Sequence, residues 1–64
     1  MVSVGYTVVY VGSDANTHYG YVTAVVPDDP YPIKIDRGYY GPGQLRESEI
    51  VSYQPPRQLN RFDA

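Results

Sequence analysis

The 64-residue sequence predicts an all-β protein, a small barrel of four to five strands. Two observations carry this. The runs Tyr6–Val11 and Gly20–Val26 are rich in β-branched and aromatic residues, the types that pack well on a pleated surface. Proline and glycine clusters separate the apolar runs at spacings too short for helices.

The first strand is expected at Tyr6–Val11 (Tyr-Thr-Val-Val-Tyr-Val), ended by Gly12-Ser13-Asp14-Ala15-Asn16. The second spans Tyr19–Val26. Alternation puts Tyr19, Tyr21 and Thr23 on one face and Gly20, Val22, Ala24 and Val26 on the other, so the small and aliphatic face is expected inward. Pro27, Pro30 and Pro32 bracket Asp28-Asp29; proline supplies no ladder N–H and aspartate favours turns, so the strand stops there.

Tyr31, Ile33 and Ile35 then alternate with Pro32, Lys34 and Asp36, which marks a third, half-buried strand with the isoleucines inward. Arg37–Gly43 reads as a bend and loop, its glycines permitting positive φ. Arg46-Glu47-Ser48-Glu49 reads as one short helical turn feeding a last strand at Ile50–Tyr53. Residues 1–53 thus form one domain. Residues 54–64, opening on Pro55-Pro56, are expected as an extended or disordered tail, pinned at most by Leu59 or Phe62.

Composition narrows the function. A domain this small buries only about 60% of the surface its unfolded chain exposes, which leaves little core from which to carve a deep pocket. With no cysteine and a single histidine, His18, the chain has neither a disulfide, a thiolate nor the ligands of a structural zinc. No cofactor is expected. The lack of cysteine fits a reducing cytoplasm. No run approaches the ~20 apolar residues that cross a membrane, and the N-terminus has no signal pattern, so a soluble chain is expected, unprocessed apart from Met1.

Five basic against seven acidic residues disfavour binding to phosphate backbones, and the acidic residues are too dispersed to mimic nucleic acid. Asp28-Asp29 has the character of a turn rather than an acid–base pair. His18 has no nucleophile or carboxylate at telling spacing, so the chain is not expected to be an enzyme.

The compositional outlier is tyrosine, eight in all. Tyrosine offers a large rigid ring with a polar tip at low entropic cost, which suits binding surfaces, although any one of them can equally complete the core or a cross-strand pair. The candidate binding residues are Tyr10, Tyr19, Tyr21, Tyr39 and Tyr40. Tyr39 and Tyr40, being adjacent, cannot both point inward.

Short strands with one helical turn before the last resemble the plan of the Src-homology-3-like small barrels, over roughly Gly5 to Tyr53. Val8-x-Tyr10, Gly20-x-Val22, Asp28-Asp29-Pro30-Tyr31-Pro32, Ile33-x-Ile35 and Ser48-Glu49-Ile50, in that order, resemble the uncharacterised small barrels of actinobacteria and their bacteriophages. Tyr31-Pro32-Ile33-x-Ile35 with Glu49-Ile50 is also similar to the small peripheral subunit of photosystem I, and Gly20-Tyr21-Val22 to the KOW module. Both of those carry more basic surfaces than this chain, which implies shared fold without shared function.

The resemblance implies an aromatic groove for proline-rich segments, or a Tudor-like cage for methylated lysine or arginine with Asp14, Asp28, Asp29 or Asp36 as its acid. The expected function is a protein-interaction module, a bacteriophage accessory protein whose partner is a host or virion protein. Two alternatives stand beside it. One is single-stranded nucleic-acid binding by tyrosine stacking, which requires Lys34, Arg37 and Arg46 to converge. The other is a self-assembling virion component using exposed strand edges. Pro55-Pro56-Arg57 is a further candidate, as a ligand for another protein's groove, and Arg57 and Arg61 as contacts for an acidic partner.

Overall fold

The computed structural model describes residues 2–56. Five strands form one antiparallel sheet: β1 (Thr7–Val11), β2 (Thr17–Val25), β3 (Ile33–Asp36), β4 (Pro42–Leu45) and β5 (Ile50–Gln54). Their order is β4-β3-β2-β1-β5, so the first four form a meander and the last returns beside the first. The only helices among the described residues are single 3-10 turns, at Gly38–Tyr40 and at Glu47–Glu49 immediately before β5. The second is the helical turn expected there. Glu49 closes it by donating its N–H to the Arg46 carbonyl at 2.9 Å and accepting the Arg46 N–H on Oε1 at 2.7 Å.

Pro42–Leu45, expected in part as loop, is a strand. Its composition hides it, since Pro42 gives no N–H and Gly43 no side chain. β4 sits at the edge of the sheet, where a missing donor at the strand start is tolerated, and it pairs with β3 through Asp36↔Pro42, Ile35↔Gly43, Lys34↔Gln44 and Ile33↔Leu45. β2 also begins two residues earlier than expected, at Thr17, because Thr17 and His18 extend the ladder to Val11 and Tyr10.

The inward face of β2 holds through Gly20 and Val22 and then changes. Val22 pairs with Ile35 but Ala24 pairs with Lys34, leaving Thr23 as an extra residue in the strand. Such a bulge slips the alternation by one. Val25, not Val26, therefore opposes the buried Ile33, Ala24 is half-buried, and Val26 is exposed, contrary to the inward placement read from strict alternation.

The core lies on one face of the sheet and is made of Val2, Val8, Tyr10, Val22, Ile33, Ile35 and Leu45, with Tyr6 and Ile50 packed against it. Val2 arrives from outside the strands. The chain before β1 turns at Gly5, whose φ of 95° suits glycine. Gly5 then donates to the Val22 carbonyl at 2.9 Å and Val22 donates to that of Tyr6 at 2.8 Å, which folds the leading segment over the core. At the other end Pro56 lies against Gly5, so 55 and 56 leave β5 along the same rim. The expectations for Arg57, Leu59, Arg61 and Phe62 fall outside the described residues.

At the centre Ile35 rests on the bare backbone of Gly20. A Cβ on Gly20 would stand 2.7 Å from Ile35 Cδ1 and 3.1 Å from its Cβ. A domain of this size has a net stability of about 3–10 kcal/mol, against about 1.5–3 kcal/mol for each fully buried aliphatic side chain. Ile35→Val is expected to cost about 1 kcal/mol, and Gly20→Ala about 1–3 kcal/mol by overpacking. The double variant should cost less than the sum, because valine lacks the Cδ1 that the new methyl meets. Urea unfolding of the four proteins checks this; additive losses would mean that the two residues do not share one packing constraint.

Candidate functional site

The first connection, between β1 and β2, is a tight turn built by Asp14. Its Oδ1 accepts the Asn16 N–H at 3.0 Å and its Oδ2 accepts Asn16 Nδ2 at 3.3 Å. The backbone closes the same turn through Gly12 N–H to Asn16 O and Ala15 N–H to Gly12 O, both 2.9 Å. Ala15 is left at φ 68°, in the left-handed region.

His18, one residue into β2, points back at this turn. Its Nε2 lies 3.0 Å from Asp14 Oδ1 and 3.2 Å from Oδ2. An ionised carboxylate only accepts, so Nε2 carries the proton. The hydrogen bond from His18, followed by that from the Asn16 backbone, lowers the Asp14 pKa from 3.8 to about 2. The imidazole also stacks against Tyr10, its cross-strand partner, with ring centroids 5.7 Å apart.

The connection between β3 and β4 faces the same region. Asp36 opens it by accepting the Gly38 N–H at 2.8 Å. Arg37 then folds back along β4, because Gly43 has no side chain in the way: a Cβ there would stand 2.9 Å from Arg37 Nε. Its guanidinium ties the loop together, donating from Nε to the Gly41 carbonyl at 3.3 Å and from Nη2 to those of Tyr40 and Pro42 at 3.1 Å.

The two connections border an open cleft of about 610 Å³, lined by Tyr10, Asp14, His18, Tyr19, Arg37 and Tyr40 together with Gly12, Ser13 and Thr17. Three of the five candidate tyrosines meet here. Tyr19 and Tyr40 are 71% and 74% exposed, whereas Tyr10 is only 6% exposed. Tyr10 belongs to the core and presents to the cleft only what its packing leaves uncovered. Tyr21 and Tyr39 are not among the lining residues. Tyr21 stands on the outer face of β2 opposite Thr7, half-exposed. Tyr39 is 97% exposed and touches Tyr40 edge-on, centroids 5.6 Å apart.

Asp14, expected at most as a cage acid, Arg37, expected only as one of three nucleic-acid cations, and His18, expected without a carboxylate at telling spacing, all line the cleft. The expectation for His18 is corrected by Asp14, a carboxylate four residues earlier that reaches the imidazole because the turn between them is tight. Arg37 sits beside Gly38 in a stretch that reads as loop, and nothing local marks the side chain as returning across Gly43.

The remaining tyrosines serve the fold. Tyr6 packs beside Tyr53 at 5.8 Å. Tyr31 carries Arg46 over its ring at 4.7 Å and accepts Arg46 Nη2 on its hydroxyl at 3.0 Å. Asp28-Asp29 has the turn character expected of it: Asp29 Oδ1 accepts the Tyr31 N–H at 2.9 Å and lies 3.1 Å from Lys34 Nζ, and these two contacts, the backbone bond first, lower its pKa. Among the described residues no three His, Cys, Asp or Glu side chains are placed to hold a metal ion, and no helix is long and apolar enough to cross a membrane.

Two outcomes follow for the turn. Ala15→Gly should stabilise the protein by at most about 1 kcal/mol, the left-handed penalty of a residue with a Cβ, read as a higher unfolding midpoint. The lowered Asp14 pKa means that its contribution is fully present above about pH 3.8 and is lost as pH falls through about 2. The stability difference between the wild type and Asp14→Asn should therefore shrink between pH 5 and pH 2 in urea titrations, and a difference constant over that range would mean that the His18 and Asn16 contacts do not hold the carboxylate ionised.

No family model, curated protein or solved structure matches the chain. Its function has to be read from the cleft.

Proposed function

We propose that this chain is a small Src-homology-3-like barrel that acts as a protein-interaction module, with the cleft between the β1–β2 turn and the β3–β4 loop as its binding site. One observation carries the reading. Tyr19 and Tyr40, exposed and far apart in sequence, are brought with Tyr10 to one concave surface whose 610 Å³ suits a few side chains of a bound segment. Large exposed aromatic rings beside a concavity are what an interface hot spot needs, because they gain contact area without ordering a flexible side chain.

The fold part of the proposal is supported by the strand order β4-β3-β2-β1-β5 and by the 3-10 turn before the last strand, which follow the plan of those barrels. The bacteriophage accessory role rests on the motif resemblance alone, and the cytoplasm of a bacterial host on that resemblance together with the lack of cysteine.

Binding is favoured over catalysis by the use of the Asp14–His18 pair. Nε2 is committed to the carboxylate at 3.0 and 3.2 Å, so the pair is used to hold the β1–β2 turn against the strand. The nucleic-acid alternative is less favoured by the placement of its cations. Of the three only Arg37 lines the cleft; Lys34 is held by Asp29 at 3.1 Å and Gln44 at 2.9 Å, and Arg46 by Tyr31.

The test is capture of partners from a bacterial lysate by the immobilised chain, with and without nuclease, beside the Tyr19→Ala, Tyr40→Ala and Tyr39→Ala/Tyr40→Ala variants. A nuclease-insensitive protein is expected, and its affinity should fall by about 2 kcal/mol in Tyr19→Ala and in Tyr40→Ala while circular dichroism and unfolding midpoints stay unchanged. Equal affinity of all the folded variants would reject this surface. Nuclease-sensitive capture would favour nucleic acid.

A further inference from the structure

The cleft contains a cation that no carboxylate answers among the described residues. Arg37 bonds only to the neutral carbonyls of Tyr40, Gly41 and Pro42, through Nε and Nη2, and its Nη1 has no acceptor there. The other two described cationic side chains are engaged elsewhere, Lys34 with Asp29 and Arg46 over Tyr31. The carboxylate on the cleft is in the opposite condition: both oxygens of Asp14 already accept from Asn16 and from His18. So although the chain carries a net charge of −2, the unmet charged hydrogen-bonding capacity of this cleft is a donor, which suits an anion.

The guanidinium is also fixed. Three bonds to its own loop hold it in place, so a ligand carboxylate that reaches Nη1 gains a charge-assisted hydrogen bond without having to order a long side chain. The rings of Tyr19 and Tyr40 border the same space and can cover apolar groups next to that carboxylate.

We propose that the cleft takes an acidic peptide segment, with an Asp or Glu side chain of the partner on Arg37 Nη1 and its apolar neighbours on Tyr19 and Tyr40. This rests on the interaction-module reading and supplies the ligand chemistry that the reading lacks. It also separates the cleft from a cation-binding cage, since the acid such a cage would use, Asp14, is already occupied.

The experiment sorts a displayed library of short random peptides on the full chain, then titrates the strongest binders as C-terminally amidated peptides, which removes the terminal carboxylate as a source of charge. The binders are expected to share an Asp or Glu beside apolar residues, and changing that residue to Asn or Gln should weaken binding roughly tenfold, the scale of one charge-assisted hydrogen bond. Because this change is made on the ligand, it leaves the protein's loop untouched. Arg37→Gln should weaken the acidic peptide by a similar factor and abolish its preference over the amide form, while Arg37→Lys retains that preference in part.

Binders that depend on Tyr40 yet carry no acid, or that tolerate its neutralisation on the wild-type protein, would overturn the acidic-ligand proposal and leave the module reading standing. An empty selection, or binders indifferent to Tyr19→Ala and Tyr40→Ala, would overturn both. A single-stranded oligothymidylate that displaces the peptide and binds more tightly would overturn the proposal in favour of a phosphate ligand.

Discussion

The packing of Ile35 between two glycines organises both halves of this molecule. On one side Ile35 lies against Gly20 of β2, closer than any residue with a Cβ would allow, and on the other it pairs with Gly43 of β4. The first contact lets β3 sink onto the core face beside Val8 and Val22. The second leaves a gap through which Arg37, two residues along the same face, returns to hold the β3–β4 loop. The loop that presents Tyr40 is therefore anchored beside the largest fully buried side chain of the fold.

That coupling matters because the core is small. Among the described residues seven buried side chains support five strands, and one of them, Val2, is supplied by the segment preceding β1. The sheet compensates with local polar devices at its connections. Asp14, Asp29 and Asp36 each accept the backbone N–H two residues on, at 3.0, 2.9 and 2.8 Å, and Glu49 closes the last turn. Four acidic residues thus act on the backbone at the four connections between strands, where their charge also finds hydrogen-bond donors. Much of the acidic surplus of the composition is accounted for in this way, as turn chemistry and not as an acidic binding surface.

The same division explains the charge of the cleft. Both oxygens of Asp14 are taken by donors of its own turn and strand, whereas the Arg37 guanidinium, bonded only to carbonyls, keeps a donor for a ligand. Net charge is consequently a poor guide to what this surface attracts. The tyrosines divide in a parallel way, between rings that complete the hydrophobic face and rings that stand at the rim of the cleft. Tyr10 does both, being buried against the core and bordering the cleft beside His18.

Residue type alone determined the all-β class, a first strand within Tyr6–Val11 and a third within Tyr31–Asp36, the inward Gly20 and Val22, the proline-marked turn at Asp28-Asp29 and the helical turn before β5. Each follows from local stereochemistry: side-chain branching, a missing N–H, an aspartate that bonds its own backbone. The tertiary structure decided what depends on a neighbour in space. Pro42–Leu45 becomes a strand only because β3 offers it an edge, and the bulge at Thr23 re-aims Val25 and Val26 through a register that no single strand contains. The grouping of Tyr10, Tyr19 and Tyr40, with Tyr21 and Tyr39 left outside, arises in the same way. Two connections more than twenty residues apart meet across the sheet, and only their meeting distinguishes a tyrosine at the cleft from one facing open solvent.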